Sequence, residues 1–407
     1  MEPEDPPPPR SWALAWRLAA GQIVAWGILY YSFTVTVRPM EGDTGWSRNF
    51  LNLGLSLGLL AWGAASYPVG LWIQRRGARE LMTVASLTGA AALALMASAH
   101  SPAVYLAAWL ALGVSMAGTL YEPAFAVVTA AYGANYRRGI TIITLVGGLA
   151  STVFIPIGQW AVGEFGWRTA LLLLAAFELL VCGPLHWFTI PTWEPRPRDE
   201  PHPRDPVRPW TERLRADLAD RRFIGLAIWF AAHSAAFTAL IFQLVPLLQA
   251  WSVPAPAIAA AFACMGPMQV LGRLLLSAGG AFSSLNVGVG AMAAVLAGLL
   301  GLALLPHSTA WLCVVVSLFG FGNGMITIVR GTSIAELFGR SRYAELSGTL
   351  AAPGIFARAA APLAAASIWT LTARPESVVW SALAVSLVGT ACLFYVRRVN
   401  RLARVQA

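Results

Sequence analysis

The sequence predicts an all-α membrane protein, with twelve transmembrane helices arranged as two six-helix bundles. Three observations lead there. Of 407 residues, 57% are hydrophobic and 12% charged, with a mean hydropathy of +0.63, whereas water-soluble chains carry about a quarter charged residues. The apolar residues fall into twelve runs, each near the roughly 20 residues that cross a bilayer. One long polar stretch, residues 191–222, parts six runs from six. It holds eight arginines and seven acids among repeated prolines, so it cannot bury an apolar face. The expected organisation is a bundle at 1–190, a cytoplasmic linker at 191–222 and a second bundle at 223–407.

Taken in order, the acidic, Pro-rich start MEPEDPPPPR has neither the charged n-region nor the cleavage site of a signal peptide, so the first span is expected to be retained. Spans are expected at 13–37 and 47–73, followed by a turn holding Arg75, Arg76 and Arg79. Spans at 81–99 and 104–130 precede Arg137 and Arg138, and spans at 139–163 and 167–190 lead into the linker. The second half repeats the arrangement, with 223–247, 254–279, 286–306, 309–335, 343–368 and 376–396. With both termini inside, 21 of the 28 arginines are cytoplasmic and four, Arg38, Arg48, Arg168 and Arg374, are outside. That bias sets the orientation and implies a multi-pass protein of the cell (inner) membrane.

The same features exclude other classes. No lysine occurs, so the chain has no GxxxxGK[ST] phosphate loop and is not expected to hydrolyse ATP. Cys182, Cys264, Cys313 and Cys392 lie in apolar runs without a CxxC pair, which argues against a disulfide framework or a metal knuckle. No nucleophile–base pair has useful spacing, so the chain is not expected to be an enzyme or to need a cofactor. The net charge of +9 is distributed as membrane topology, not as a nucleic-acid surface. The expected partners are lipid and a small molecule, with the chain acting as a monomer.

Shifting the second half by 206 residues lays Gly118 on Gly324, Gly133 on Gly339 and Gly148 on Gly354. Glycines at matching depths allow close helix packing, and the repeat suggests two related bundles around a mid-depth site. After span 2, Gly70-Leu71-Trp72-Ile73-Gln74-Arg75-Arg76-Gly77-Ala78-Arg79 resembles the GxLaDrxGrk signature of the major facilitator superfamily. Gly70, Arg75, Gly77 and Arg79 match, and Gln74 replaces the usual aspartate. The resemblance implies alternating access, with this turn as a conformational switch. In the family the aspartate faces the start of helix 11, so a neutral Gln74 removes a charge–dipole interaction of roughly 0.3–1 kcal/mol. Arg38-Pro39-Met40 through Arg48, Leu271-Gly272-Arg273-Leu274 and the position of Arg358 are similar to the monocarboxylate and oxalate/formate branch. That implies an arginine-held small organic anion and proton- or exchange-coupled movement. Efflux of hydrophobic drugs or metalloids is the alternative, with Cys264 as a soft ligand, and a membrane sensor is a further one.

Ionisable groups inside spans are costly and mark function or pairing. The candidates are Glu122, Glu178, His233, Arg273, Arg330 and Arg358. The resemblance, in which helices 1, 4, 7 and 10 line the cavity, places Glu178 alone in the outer, lipid-facing set. Glu122, beside the expected kink at Pro123, is either a proton-coupling carboxylate or the fixed partner of Arg330. Arg273, Arg330 and Arg358 supply positive charge for substrate, and Tyr30, Tyr31 and His233 are further substrate-binding candidates.

Overall fold

Apolar runs of this length have one stable form in lipid, where every backbone polar group must find its partner within the helix. The computed structural model describes residues 11–192, 209–278, 282–304 and 308–406; residues 193–208 of the expected linker lie outside them. No strand occurs among the described residues. Ten stretches are long and apolar enough to cross a membrane, and one of them, Pro102–Thr189, runs for 88 residues. Large apolar side chains such as Leu60, Val84, Leu180 and Leu363 face outward, as they do where lipid is the solvent.

The chain forms two compact units. The first comprises Met1–Pro206 with Phe338–Ala352, and the second Val207–Leu337 with Pro353–Ala407. In the first, α1 (Ala13–Ala25) passes through a π turn, Trp26–Tyr30, into α2 (Ser32–Thr44). Span 1 therefore ends seven residues beyond the expected boundary. α3 (Arg48–Arg76) starts on Ser47, whose hydroxyl accepts the Phe50 N–H at 3.2 Å. α4 (Arg79–Ala97) follows Gly77, and α5 (Pro102–Thr119) opens with proline in its first turn. α6 (Tyr121–Tyr132), α7 (Tyr136–Gly147) and α8 (Ala150–Phe177) come next. Gly166, at φ +75°, breaks α8 where spans 5 and 6 were expected to meet. A second π turn, Glu178–Cys182, leads into α9 (Gly183–Thr189).

The second unit begins with α10 (Trp210–Ala219), a short polar helix carved from the expected linker. α11 (Arg221–Ala250) is capped by Asp220, whose carboxylate accepts the Arg222 N–H at 2.7 Å. α12 (Ala255–Ala278), α13 (Ser284–Leu304) and α14 (Thr309–Phe338) follow. α15 (Tyr343–Thr372) contributes its first turns to the first unit and the rest to the second, and α16 (Ser377–Gln406) closes the chain. Gly133 and Gly339, which the 206-residue shift superposes, end α6 and α14 at φ +52° and +79°. The superposed glycines thus share a positive φ at a helix end as well as a residue type.

Candidate functional site

In the first unit the site grows out of a broken helix. Pro123 has no N–H to give the carbonyl of Thr119, four residues earlier. Leu120 is extended at φ −76°, ψ −154°, and splits span 4 into α5 and α6. The break thus lies three residues before the expected kink at Pro123. The Thr119 carbonyl instead accepts the side-chain amide of the fully buried Gln22 from α1, at 2.7 Å.

Glu122 is placed next to that break, in the first turn of α6, with 8% of its surface exposed. Its neighbour Tyr121 stacks on Phe125 with ring centroids 5.2 Å apart and meets Trp26 at 5.0 Å. Trp26 also meets Trp62 at 5.8 Å and Tyr30 at 5.4 Å, and Tyr30 meets Tyr31 at 5.2 Å. The π turn at Trp26–Tyr30 packs these rings together, an arrangement common at functional sites. Tyr30 and Tyr31, both half-buried, thus belong to one aromatic cluster beside Glu122. Tyr343, at the start of α15 and buried, lies within electrostatic reach of Glu122.

The signature turn also lies wholly in the first unit. A Cβ at Gly70 would overlap the Ala344 carbonyl, so α3 and the start of α15 touch backbone to backbone. Gln74 donates its side-chain amide to the Ser341 carbonyl at 2.5 Å. The resemblance implies an acceptor at this position, and Gln74 instead acts as a donor to a carbonyl just before α15. Gly77 closes α3 at φ +83°, its N–H given to the Ile73 carbonyl at 2.9 Å. Arg79 lies 4.4 Å over the ring of Trp187, and Arg75 is exposed.

In the second unit, α11, α12 and α14 bring three polar side chains into a chain. His233 Nε2 and Asn323 Oδ1 are 3.1 Å apart, and Asn323 Nδ2 donates to Gln269 Oε1 at 3.1 Å. With the amide group of Asn323 given to Gln269, its oxygen is left to accept, which places the His233 proton on Nε2. Phe237 packs 6.0 Å from the imidazole and stacks on Phe319 at 5.2 Å. The charges of Arg358 and Arg330 both act on His233. Arg273 is 5% exposed and follows Gln269 by one turn, so the two share a face of α12. The structure therefore groups His233, Arg330 and Arg358, and places Arg273 on the helix that supplies Gln269. Glu122 belongs to the first unit and Arg330 to the second.

Sequence reading missed Asn323, Gln269 and Gln22. A neutral amide inside a span carries no charge signal, although each is a polar residue in an apolar run. Glu178, on the span assigned to the outer set, has a relative exposure of 0%. The π turn that carries it packs against α4 and α1, and Ser86 of α4 neighbours its carboxyl. Among the described residues no group of three His, Cys, Asp or Glu side chains is arranged to hold a metal ion.

Comparison with known proteins agrees with this architecture. The human organic anion transporter MFSD10 (TETRAN) is similar in structure, with a TM-score of 0.69 at 18% identity over 95% of this chain and 100% of that one. The E. coli fucose:proton symporter FucP gives a TM-score of 0.72 at 11% identity over 95% and 99%. No curated protein sequence matches the chain. The Major Facilitator Superfamily model matches residues 18–348, most of the length, and the chain belongs to that family of membrane transporters.

Proposed function

We propose that the chain moves a small organic anion, such as a monocarboxylate, across the inner membrane by alternating access, coupled to protons or to exchange. The observation that carries this is the His233–Asn323–Gln269 chain under the positive charges of Arg358 and Arg330. A polar chain with His233 buried and Asn323 and Gln269 half-buried, in the field of two guanidinium groups, favours a carboxylate, which accepts bidentate, charge-assisted hydrogen bonds. The organic anion transporter among the similar structures is compatible with that substrate class. Arg273 adds charge on the same helix as Gln269. In the first unit, Tyr30 and Tyr31 supply ring faces to the apolar part of a substrate, and Glu122 carries the coupling proton.

The turn formed by Gly70, Gln74, Arg75, Gly77 and Arg79 acts as the conformational switch. The 191–222 stretch is the cytoplasmic linker between the two bundles, both termini are cytoplasmic, and the transporter works as a monomer. The test is uptake of labelled monocarboxylates and of their neutral amides into proteoliposomes, with and without an imposed proton gradient. Accumulation of the acids alone supports the proposal, and accumulation of neither overturns it.

A further inference from the structure

Glu178 has no part in the sites above, yet among the described residues it is the most enclosed acid in the first unit. Its relative exposure is 0%, as are those of Cys182, His186 and Ser86. The π turn Glu178–Cys182 and α9 carry Glu178, Cys182 and His186 and pack against α1 and against α4, which carries Ser86. Ser86 Oγ and His186 Nδ1 are 2.9 Å apart. The polar neighbours of the Glu178 carboxyl are Cys182 and Ser86, and no strict hydrogen bond satisfies either of its oxygens. Cys182 Sγ turns to the Gly21 carbonyl at 3.7 Å. Ser86 thus stands between an acid and an imidazole, both excluded from water and lipid.

The charged groups on the surrounding elements are remote or engaged. On α4, Arg79 lies over Trp187 and Glu80 is exposed, and both precede Ser86 by about 10 Å of helix. On α1, Arg17 is exposed and Gln22 is given to Thr119. On α8, Arg168 pairs with Asp43, and Glu164 is exposed further along the same helix. Among the described residues no cation forms an ion pair with Glu178, so an ionised carboxylate there would be a buried charge without a counter-ion.

We infer that Glu178, Ser86 and His186 form a proton-binding chain in the first unit, separate from Glu122. Enclosure without a counter-ion favours the neutral carboxyl, so the proton starts on Glu178. Transfer breaks the Glu178 O–H bond as Ser86 Oγ accepts that proton, while the Ser86 O–H proton passes to His186 Nδ1. The carboxylate and imidazolium that result are joined through a neutral serine. The transfer moves one positive charge from the π turn to α9, across the width of the Ser86 hydroxyl. This inference stands apart from the substrate reading, since it needs neither Glu122 nor any arginine.

Infrared difference spectroscopy of the full-length protein in liposomes, titrated from about pH 5 to pH 10, tests it directly without substrate. A protonated carboxyl carbonyl band should vanish in Glu178→Gln and persist in Glu122→Gln. In Ser86→Ala and His186→Gln, which keep the acid, that band should move in frequency and in titration midpoint. A band that survives Glu178→Gln overturns the inference. An unmoved band in both Ser86→Ala and His186→Gln overturns it as well, even where Glu178→Gln fails to fold.

Discussion

Gln22 and Thr119 are 97 residues apart and are joined by a 2.7 Å hydrogen bond from a side-chain amide to a backbone carbonyl. That carbonyl is the one Pro123 cannot serve, so a helix break made by one residue is completed by a side chain from another helix. Gln22→Leu should leave a buried carbonyl without a donor and lower stability by about 1–3 kcal/mol. Adding Pro123→Ala returns a backbone N–H and should recover part of that loss. Thermal unfolding of both single variants and the double variant reads the coupling. Additive losses would show that the Gln22 bond is not made to replace the proline's.

The contact between α3 and the start of α15 should govern conformational exchange more than substrate affinity. Gly70→Val pushes a side chain into the Ala344 carbonyl, and Gly77→Val forces a branched residue to φ +83°. Overpacking of this kind costs about 1–3 kcal/mol. Turnover should fall by tenfold or more, as expected from about 1.4 kcal/mol per decade, while equilibrium binding stays near the parent value. Gln74→Glu tests the reversed polarity, since it keeps size but sets an acceptor against the Ser341 carbonyl. Normal turnover with weakened binding in these variants would contradict the switch assignment.

Asn323 is the pivot of the polar chain in the second unit. Asn323→Leu leaves the buried imidazole of His233 and the half-buried amide of Gln269 without their shared partner, and stranding the imidazole alone costs about 1–3 kcal/mol. Loss of both stability and substrate affinity is expected, measured by unfolding and by isothermal titration. His233→Gln retains a donor and should lose less than His233→Ala. Equal losses would mean that the ring's bulk matters and its hydrogen bond does not.

Much of the fold was legible because it follows from solvent and length. The expected spans 47–73 and 81–99 correspond to α3 and α4 to within a few residues, and Gly77 stands at the turn its sequence context suggested. Local rules fail where a helix departs from its own period. The π turns at Trp26–Tyr30 and Glu178–Cys182 carry no local composition signal, and the second encloses the acid of a span assigned to the outer set. Partners such as Ser341 for Gln74 and Asn323 for His233 depend on tertiary contacts 267 and 90 residues away along the chain. The charged members of the site were visible because charge inside a span is rare. The neutral amides that connect them were not.

Glu122→Gln should abolish accumulation driven by a proton gradient and leave substrate-for-substrate exchange intact. The amide keeps the shape of the side chain in the turn after Leu120 and removes only the titratable proton. Counterflow and gradient-driven uptake in proteoliposomes separate the two activities. Coupling that survives the change would make Glu122 a structural residue of the α5–α6 break.

If arginines of the second unit bind an anionic substrate, as proposed, the protein must discriminate between a carboxylate and its neutral amide. Affinities for both are to be measured in the parent and in Arg273→Gln, Arg330→Gln and Arg358→Gln. Each arginine that binds the anion should cost the carboxylate about 1.5–3 kcal/mol per lost charge-assisted hydrogen bond and leave the amide nearly unchanged. Preference for the charged form should therefore fall roughly 10- to 150-fold at Arg358 or Arg330. An unchanged preference in all three variants would contradict the anion site and the transport reading built on it.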